Sequence, residues 1–365
     1  MATYDTAKVE EHWSKVDCSA SEKDFYNFPP IRARSSELIF GESDALRKDW
    51  CEYWTVERYL KKRMPFGKCL SVCCGFGEVE RILSRMHVAD KIVGTDIAPG
   101  SIEQAKQRAQ DEGLTNIEYF VADLNTEKLP KKEYDIIWAN GALHHIRDLD
   151  TVIPKLLDAL KDDGILIANE YVGPNYQQIG VRQQEIINAV RHLLPEELCG
   201  KDAVLPQRPR GSSLRCRGIR YVRRVMAKIL SRLVGDQEGA YAKIYEPLPL
   251  AHFMETDPSE CVDSENIVRV LKRHFSDIDV RYYDGSILSY ALDRKFYDNY
   301  DAQNPKHKMV LDMLFRIEDT MIAAGELSRD NAHIICRKKV RHETGTERIP
   351  KDLDRHTVVR SVEVS

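Results

Sequence analysis

Four apolar runs in this chain each end in residues able to hold a polar ligand. The run at 69–74 ends in Cys74-Gly75-Phe76-Gly77. Glycine lets a backbone approach a ligand closely, and the helix that follows offers unpaired N–H groups to polar or anionic atoms. About twenty residues on, the run 91–97 carries Asp96 and Ile97 at its end. A carboxylate at that place accepts from both hydroxyls of a ribose. The run 117–123 ends in Asp123-Leu124, where a carboxylate can take an exocyclic adenine amine and the next N–H can donate to the ring. The run 134–140 ends in Asn140, followed by Gly141-Ala142-Leu143-His144-His145. Taken singly each stretch has a bland reading as a turn or a cap. Together they suit an adenosine-bearing ligand.

A second set of groups could move protons or orient a reacting partner. His144, His145, Glu170 and Tyr171 stand at the ends of the fourth and fifth runs, and histidine suits a base near neutral pH. The competing reading for the histidines is that one packs under a helix and the other bonds to backbone. Asp257-Pro258-Ser259-Glu260 either caps the following helix or points Glu260 into the pocket.

The elements that must position these groups alternate. Strand-like runs at 69–74, 91–97, 117–123, 134–140 and 164–172 are separated by helical patterns at 78–86, 101–112 and 149–160. Ser101 is the expected N-cap of the second of these helices. This order implies parallel strands with right-handed crossovers, apolar on both faces because helices cover both. Ligands of such sheets sit at the carboxyl ends of the strands, where the groups above lie. The alternation breaks after Val172 and resumes with helices at 264–275 and 305–327 and strands at 278–283 and 332–338.

Residues 69–172 resemble the core of class I S-adenosylmethionine-dependent methyltransferases, of the broad type with a Leu-His-His-Ile segment after the fourth strand. The matching stretches are LSVCCGFGEVERIL, IVGTDIAPGSIEQAKQRA, IEYFVADLNTEKLP, YDIIWANGALHHI and LKDDGILIANEYVGPN. The resemblance implies an α/β, Rossmann-like, seven-stranded, mostly parallel sheet with a reversed last strand, helices on both faces and a helical insertion. It implies S-adenosylmethionine as cofactor and S-adenosylhomocysteine as product. Cys74, Gly75 and Gly77 would cradle the methionine part, and Asp96 the ribose with Ile97 on the adenine. Asp123 and Leu124 would meet the adenine edge, and Asn140 would face the methionine end. Two positions depart from the pattern: Ser71 stands where an acid is usual and Cys73 where a glycine is usual. A dinucleotide fits less well, because Val79 and Glu80 stand near where its third glycine would be.

The resulting organisation is an N-terminal arm and helix at 1–65 acting as a lid, a core at 66–172 and 263–340, a helical, basic insertion at 173–262 as substrate cover, and a charged tail at 341–365. Within the arm, Trp13, Phe25, Tyr26 and Phe28 could close over the cofactor, and Pro29-Pro30 should block a helix. A helix is expected from Asp44 to Arg63. The insertion holds nine basic residues from Arg208 to Arg232 with no acid between Asp202 and Asp236. Its readings are a solvated helical face, recognition of an anionic substrate, or contact with RNA or a membrane surface.

Size and charge bound the rest. The chain has 365 residues and a formal net charge of -4, which argues against a dedicated nucleic-acid binder. No apolar run approaches the roughly 18 residues that span a membrane, and the first residues do not read as a secretory signal. The nine cysteines suggest no disulfide framework, and the absence of Cys-x-x-Cys pairs or a thiol near His144-His145 suggests no metal. The expected function is methyl transfer to oxygen, nitrogen or carbon of a small metabolite, a sugar-like or anionic one among the candidates, in the cytoplasm. An RNA methyltransferase using the basic insertion and a non-catalytic binding protein on the same fold are the alternatives.

Overall fold

A computed structural model describes residues 4–15, 25–199 and 244–338. Its centre is one seven-stranded sheet in the order β3-β2-β1-β4-β5-β7-β6. The strands are β1 (Phe66–Val72), β2 (Ala89–Asp96), β3 (Ile117–Val121), β4 (Tyr134–Asn140), β5 (Leu160–Tyr171), β6 (Asp277–Tyr283) and β7 (Asn331–Arg337). The pairs among β1 to β5 are parallel, and β7 runs antiparallel to both β5 and β6. The expected α/β sheet with a reversed last strand is therefore present.

Side-chain alternation explains why both faces must be covered. Leu70, Ile137, Leu166 and Ile334 point to one face, where they bury against Val152, Ile153 and Leu156 of α6 (Leu149–Ala159) and against Ile267, Val270 and Leu271. Cys69, Ile136, Trp138, Ile167 and Ile335 point to the other face, against Val56, Leu60 and Leu83. Leu83 belongs to α4 (Glu78–Arg85), and α5 (Pro99–Asp111) follows β2. Asp148 caps α6 by accepting from the Thr151 N–H at 3.0 Å.

Several element boundaries differ from the sequence reading. The arm is helical: α1 spans Thr6–Lys15 and α2 spans Pro29–Phe40. Pro29-Pro30 begins α2 instead of blocking a helix, because a proline in the first turn gives up only an N–H that has no partner there. The Asp44–Arg63 helix starts late, as α3 at Trp50–Thr55, and its C-terminal half is wound as a π-helix and then a 3-10 turn. Pro99 likewise opens α5, so Ser101 is inside the helix and not its cap. Its hydroxyl donates to the Trp13 carbonyl at 2.8 Å.

The insertion after β5 includes α7 (Val181–Leu193) and α8 (Glu196–Cys199). With Phe25, Phe28 and Ile31 of the arm, and with Phe296, Leu311 and Leu314 from later helices, they form a second apolar core. Arg34 ties α2 to this body through Asp284 at 3.0 Å and Glu318 at 2.6 Å. The basic run Arg208–Arg232 and the tail from 341 lie outside the described residues. Among the described residues no helix is long and apolar enough to cross a membrane.

Candidate cofactor site

The loop after β1 takes three left-handed turns, at Cys73 (φ 48°), Gly75 (φ 51°) and Gly77 (φ 75°), the last capping α4. Cys73 thus occupies a conformation that normally favours glycine. A Cβ added at Gly75 would meet nothing within 4 Å, so the backbone there is bare toward an open cleft. One at Gly77 would run into the Tyr119 ring and lie 2.9 Å from the Ala105 Cβ, so Gly77 is needed for packing.

Asp96 anchors this loop. Its Oδ2 accepts from the Gly75 N–H and its Oδ1 from the Ala98 N–H, each at 2.9 Å. Burial pushes its pKa up, while these backbone donors oppose that. At the next strand end, Asp123 Oδ1 accepts from the Asn125 N–H at 2.9 Å and its side-chain amide at 2.8 Å. Lys155 Nζ donates to the carbonyl oxygens of Leu124 and Asn125 at 3.1 and 2.8 Å, fixing the turn.

Gly75, Asp96, Ile97, Asp123 and Leu124 all line one narrow cleft with about 600 Å³ of empty space. Cys74, Gly77 and Asn140 do not line it. Cys74 packs beside Tyr119, and Asn140 Oδ1 accepts from the Asn169 amide at 3.0 Å. Val9 and Trp13 of α1, with Tyr4 just before it, close the cleft. Trp13 Nε1 donates to Asp257 Oδ2 at 3.1 Å, and its ring meets His145 edge-on at 5.1 Å. Phe25 and Phe28 serve the second core instead, and Tyr26 donates to Asn331 Oδ1 at 3.1 Å.

The proton-handling candidates separate. His145 lines the cleft. His144 stands beside it, ring centroids 4.2 Å apart. Burial opposes protonation of His144, and the hydrogen bond and charge of Glu170 outweigh it, so its pKa is raised. Burial and the neighbouring His144 push His145 down to about 4. Glu170 is only 2% exposed, and its oxygens are occupied by loop donors. It builds the turn and is not placed as a free base. Tyr171 faces away: its hydroxyl lies 3.1 Å from that of Tyr290, and burial raises its pKa strongly. Ser71, where an acid was expected, sits near the fully buried Glu80 of α4. Burial pushes Glu80 up to about 7, with the Ser71 hydroxyl pulling the other way.

Sequence reasoning missed Ser259 in the cleft lining and the side of His145 that Asp257 and Glu260 occupy. The Asp-Pro-Ser-Glu run was a visible signal, but its pairing with His145 spans more than a hundred residues.

Residues 69–164 match the family model described as "Methyltransferase domain". Over these residues the chain carries a methyltransferase domain. Among curated proteins it is similar to a malonyl-[acyl-carrier protein] O-methyltransferase of Acetivibrio thermocellus, 34% identical over 27% of this chain and 33% of that protein. It is 26% identical to a 2-phytyl-1,4-naphtoquinone methyltransferase of a Nostoc species, over 49% of this chain and 76% of that protein. A ubiquinone biosynthesis O-methyltransferase of Pelagibacter ubique is 29% identical, over 44% of this chain and 60% of that protein. The chain thus spans from a third to about three quarters of the length of these relatives. The matched part of the methyltransferase domain contains the cleft residues from Cys73 to Ile146 and excludes α1, Ser259 and the helical body.

Proposed function

We propose that this chain binds S-adenosylmethionine in the cleft and transfers its methyl group to oxygen, nitrogen or carbon of a small metabolite in the cytoplasm. The observation that carries this reading is the cleft itself, where three consecutive strand ends converge: bare backbone at Gly75, a buried carboxylate at Asp96 and the Asp123-Leu124 turn. These residues fit the cofactor. Asp96 has the acceptor atoms for ribose hydroxyls, Ile97 an apolar surface for adenine, and Asp123-Leu124 an acceptor and donor for its edge. The bound cofactor would supply an electrophilic methyl carbon. The protein's part is to align the acceptor and, for a hydroxyl or amine, to receive its proton, for which His145 is the histidine bordering the cleft.

The relatives named as a malonyl-[acyl-carrier protein] O-methyltransferase and a ubiquinone biosynthesis O-methyltransferase support a small-molecule acceptor. The helix α1 acts as a lid, held over the cleft by Ser101 and Asp257 through Trp13. Calorimetric titration with S-adenosylmethionine and S-adenosylhomocysteine tests the reading. Micromolar binding that weakens more than tenfold in Asp96→Ala is expected. No binding at millimolar cofactor, or unchanged affinity in Asp96→Ala, would overturn it.

A further inference from the structure

We propose that His144, His145 and Glu260 form a site for one divalent transition-metal cation at the edge of the cofactor cleft. Each brings a ligand atom into a cluster in which all three lie within 4.8 Å of one another. Tetrahedral donors bound at about 2.1 Å stand about 3.4 Å apart, so each pair in the cluster closes on an ion by a shift of about 1.4 Å at most.

The surroundings prepare each ligand. Metal-binding histidines ordinarily donate their second ring N–H to a carboxylate or other acceptor, which fixes the tautomer. His144 Nδ1 lies 2.8 Å from Glu170 Oε2, an acceptor, so Nδ1 carries the proton and Nε2 is left as a lone pair. His145 Nδ1 lies 3.1 Å from Ser259 Oγ. The Ser259 hydroxyl donates its only proton to Asp257 Oδ1 at 2.6 Å, so toward His145 it can only accept. His145 therefore also holds its proton on Nδ1, and its bare Nε2 faces Glu260 Oε2 at 3.8 Å. The other oxygen of Glu260 is held by the Gln177 amide at 3.3 Å and the Cys261 thiol at 3.1 Å, which leaves Oε2 for the histidine side.

Two imidazoles and one carboxylate suit ions of the zinc, manganese, cobalt and ferrous class, and not calcium or magnesium. Three protein ligands leave coordination positions open, as in catalytic metal sites. Of the three ligands His145 borders the cleft, which places the ion at its edge. An acceptor bearing an oxygen, or two adjacent oxygens, would bind there, and with an ion bound His145 is its ligand instead of the acceptor's proton-receiving group. This last step rests on the methyltransferase reading, whereas the cation site does not.

The test is titration of the chelator-treated full chain with Co²⁺ alone, followed by visible absorption, and with Zn²⁺ by calorimetry. One equivalent is expected to bind with ligand-field bands. His145→Ala and Glu260→Gln should each weaken binding at least tenfold, the nearly isosteric Glu260→Gln serving where His145→Ala fails to fold. Absence of saturable binding, or unchanged affinity in both variants, would overturn the site. S-adenosylhomocysteine is titrated into the same samples. Cofactor binding without metal binding sinks the cation site alone, and metal binding without cofactor binding sinks the methyltransferase reading alone.

Discussion

The carboxylate of Glu170 lies 2.8 Å from His144 Nδ1 and 2.9 Å from the backbone nitrogens of both Ala142 and Leu143. One side chain from the end of β5 thus fixes the turn that follows β4, across two neighbouring strands. Removing it leaves buried donors without an acceptor, which costs about 1–3 kcal/mol each. Glu170→Ala is expected to destabilise the protein by about 3–5 kcal/mol. Glu170→Gln, which keeps one acceptor oxygen, should cost less than half of that. Urea unfolding of the three proteins checks the order; equal stability of Glu170→Ala and wild type would mean that the turn does not depend on this carboxylate.

Gly75 and Gly77 share a left-handed backbone but should respond differently to alanine. At Gly75 the added methyl has free space, so its stability cost is the conformational one, about 1–2 kcal/mol. It lines the cleft, however, and should lower cofactor affinity at least tenfold. At Gly77 the methyl collides with Tyr119 and Ala105, adding an overpacking cost of about 1–3 kcal/mol to the same strain. Thermal unfolding and calorimetry on both variants separate the two roles. A Gly75→Ala protein with wild-type affinity would remove that loop from the cofactor site.

The parts of the fold readable in the sequence were those set by local pattern. The run Tyr134–Asn140 is a strand from end to end because Ile136–Ala139 is continuously apolar and it is paired on both sides. Asp96 and Asp123 could be placed because each follows such a run directly. Pro29-Pro30 misled because proline's effect depends on its position, and in a first turn it is favourable. The role of Glu170 was hidden for another reason. Sequence shows an acid beside a strand end, but not that three loop donors converge on it from a strand 26–28 residues earlier. Ser259 and Glu260 reach His145 only through the path of the chain after the insertion.

Stability should fall as pH rises through neutrality because of Glu80. It is fully buried, and burial, opposed by the nearby Ser71 hydroxyl, pushes its pKa from 4.5 to about 7. A carboxyl raised on folding leaves stability undiminished below the unfolded value of about 4.3. The loss develops as pH climbs from there through about 7, reaching a few kcal/mol above it. Glu80→Gln has no such titration. Its stability relative to wild type should therefore increase by about 2–3 kcal/mol between pH 4.5 and pH 8. Urea unfolding at both values checks this, and a difference that stays constant with pH would show that Glu80 titrates normally.

Trp13 couples the first helix to the cleft, and its loss should be felt by the cofactor more than by the fold. The indole donates to Asp257, meets His145 edge-on and lines the cleft, while the rest of α1 leans on α5 through Ser14 and Ser101. Among the described residues of α1, Val9 is the buried one, so little core depends on the helix. Trp13→Ala removes a hydrogen bond worth about 1 kcal/mol and an aromatic contact worth about 0.5–1.5 kcal/mol, which together allow a loss of roughly tenfold in affinity. Trp13→Phe keeps the ring and loses the donor, so it should fall between the two. The global unfolding midpoint should stay within a few degrees of wild type in both variants. S-adenosylhomocysteine affinity, measured by calorimetry beside thermal unfolding, decides the matter: wild-type affinity in Trp13→Ala would mean that α1 covers the cleft without holding what lies in it.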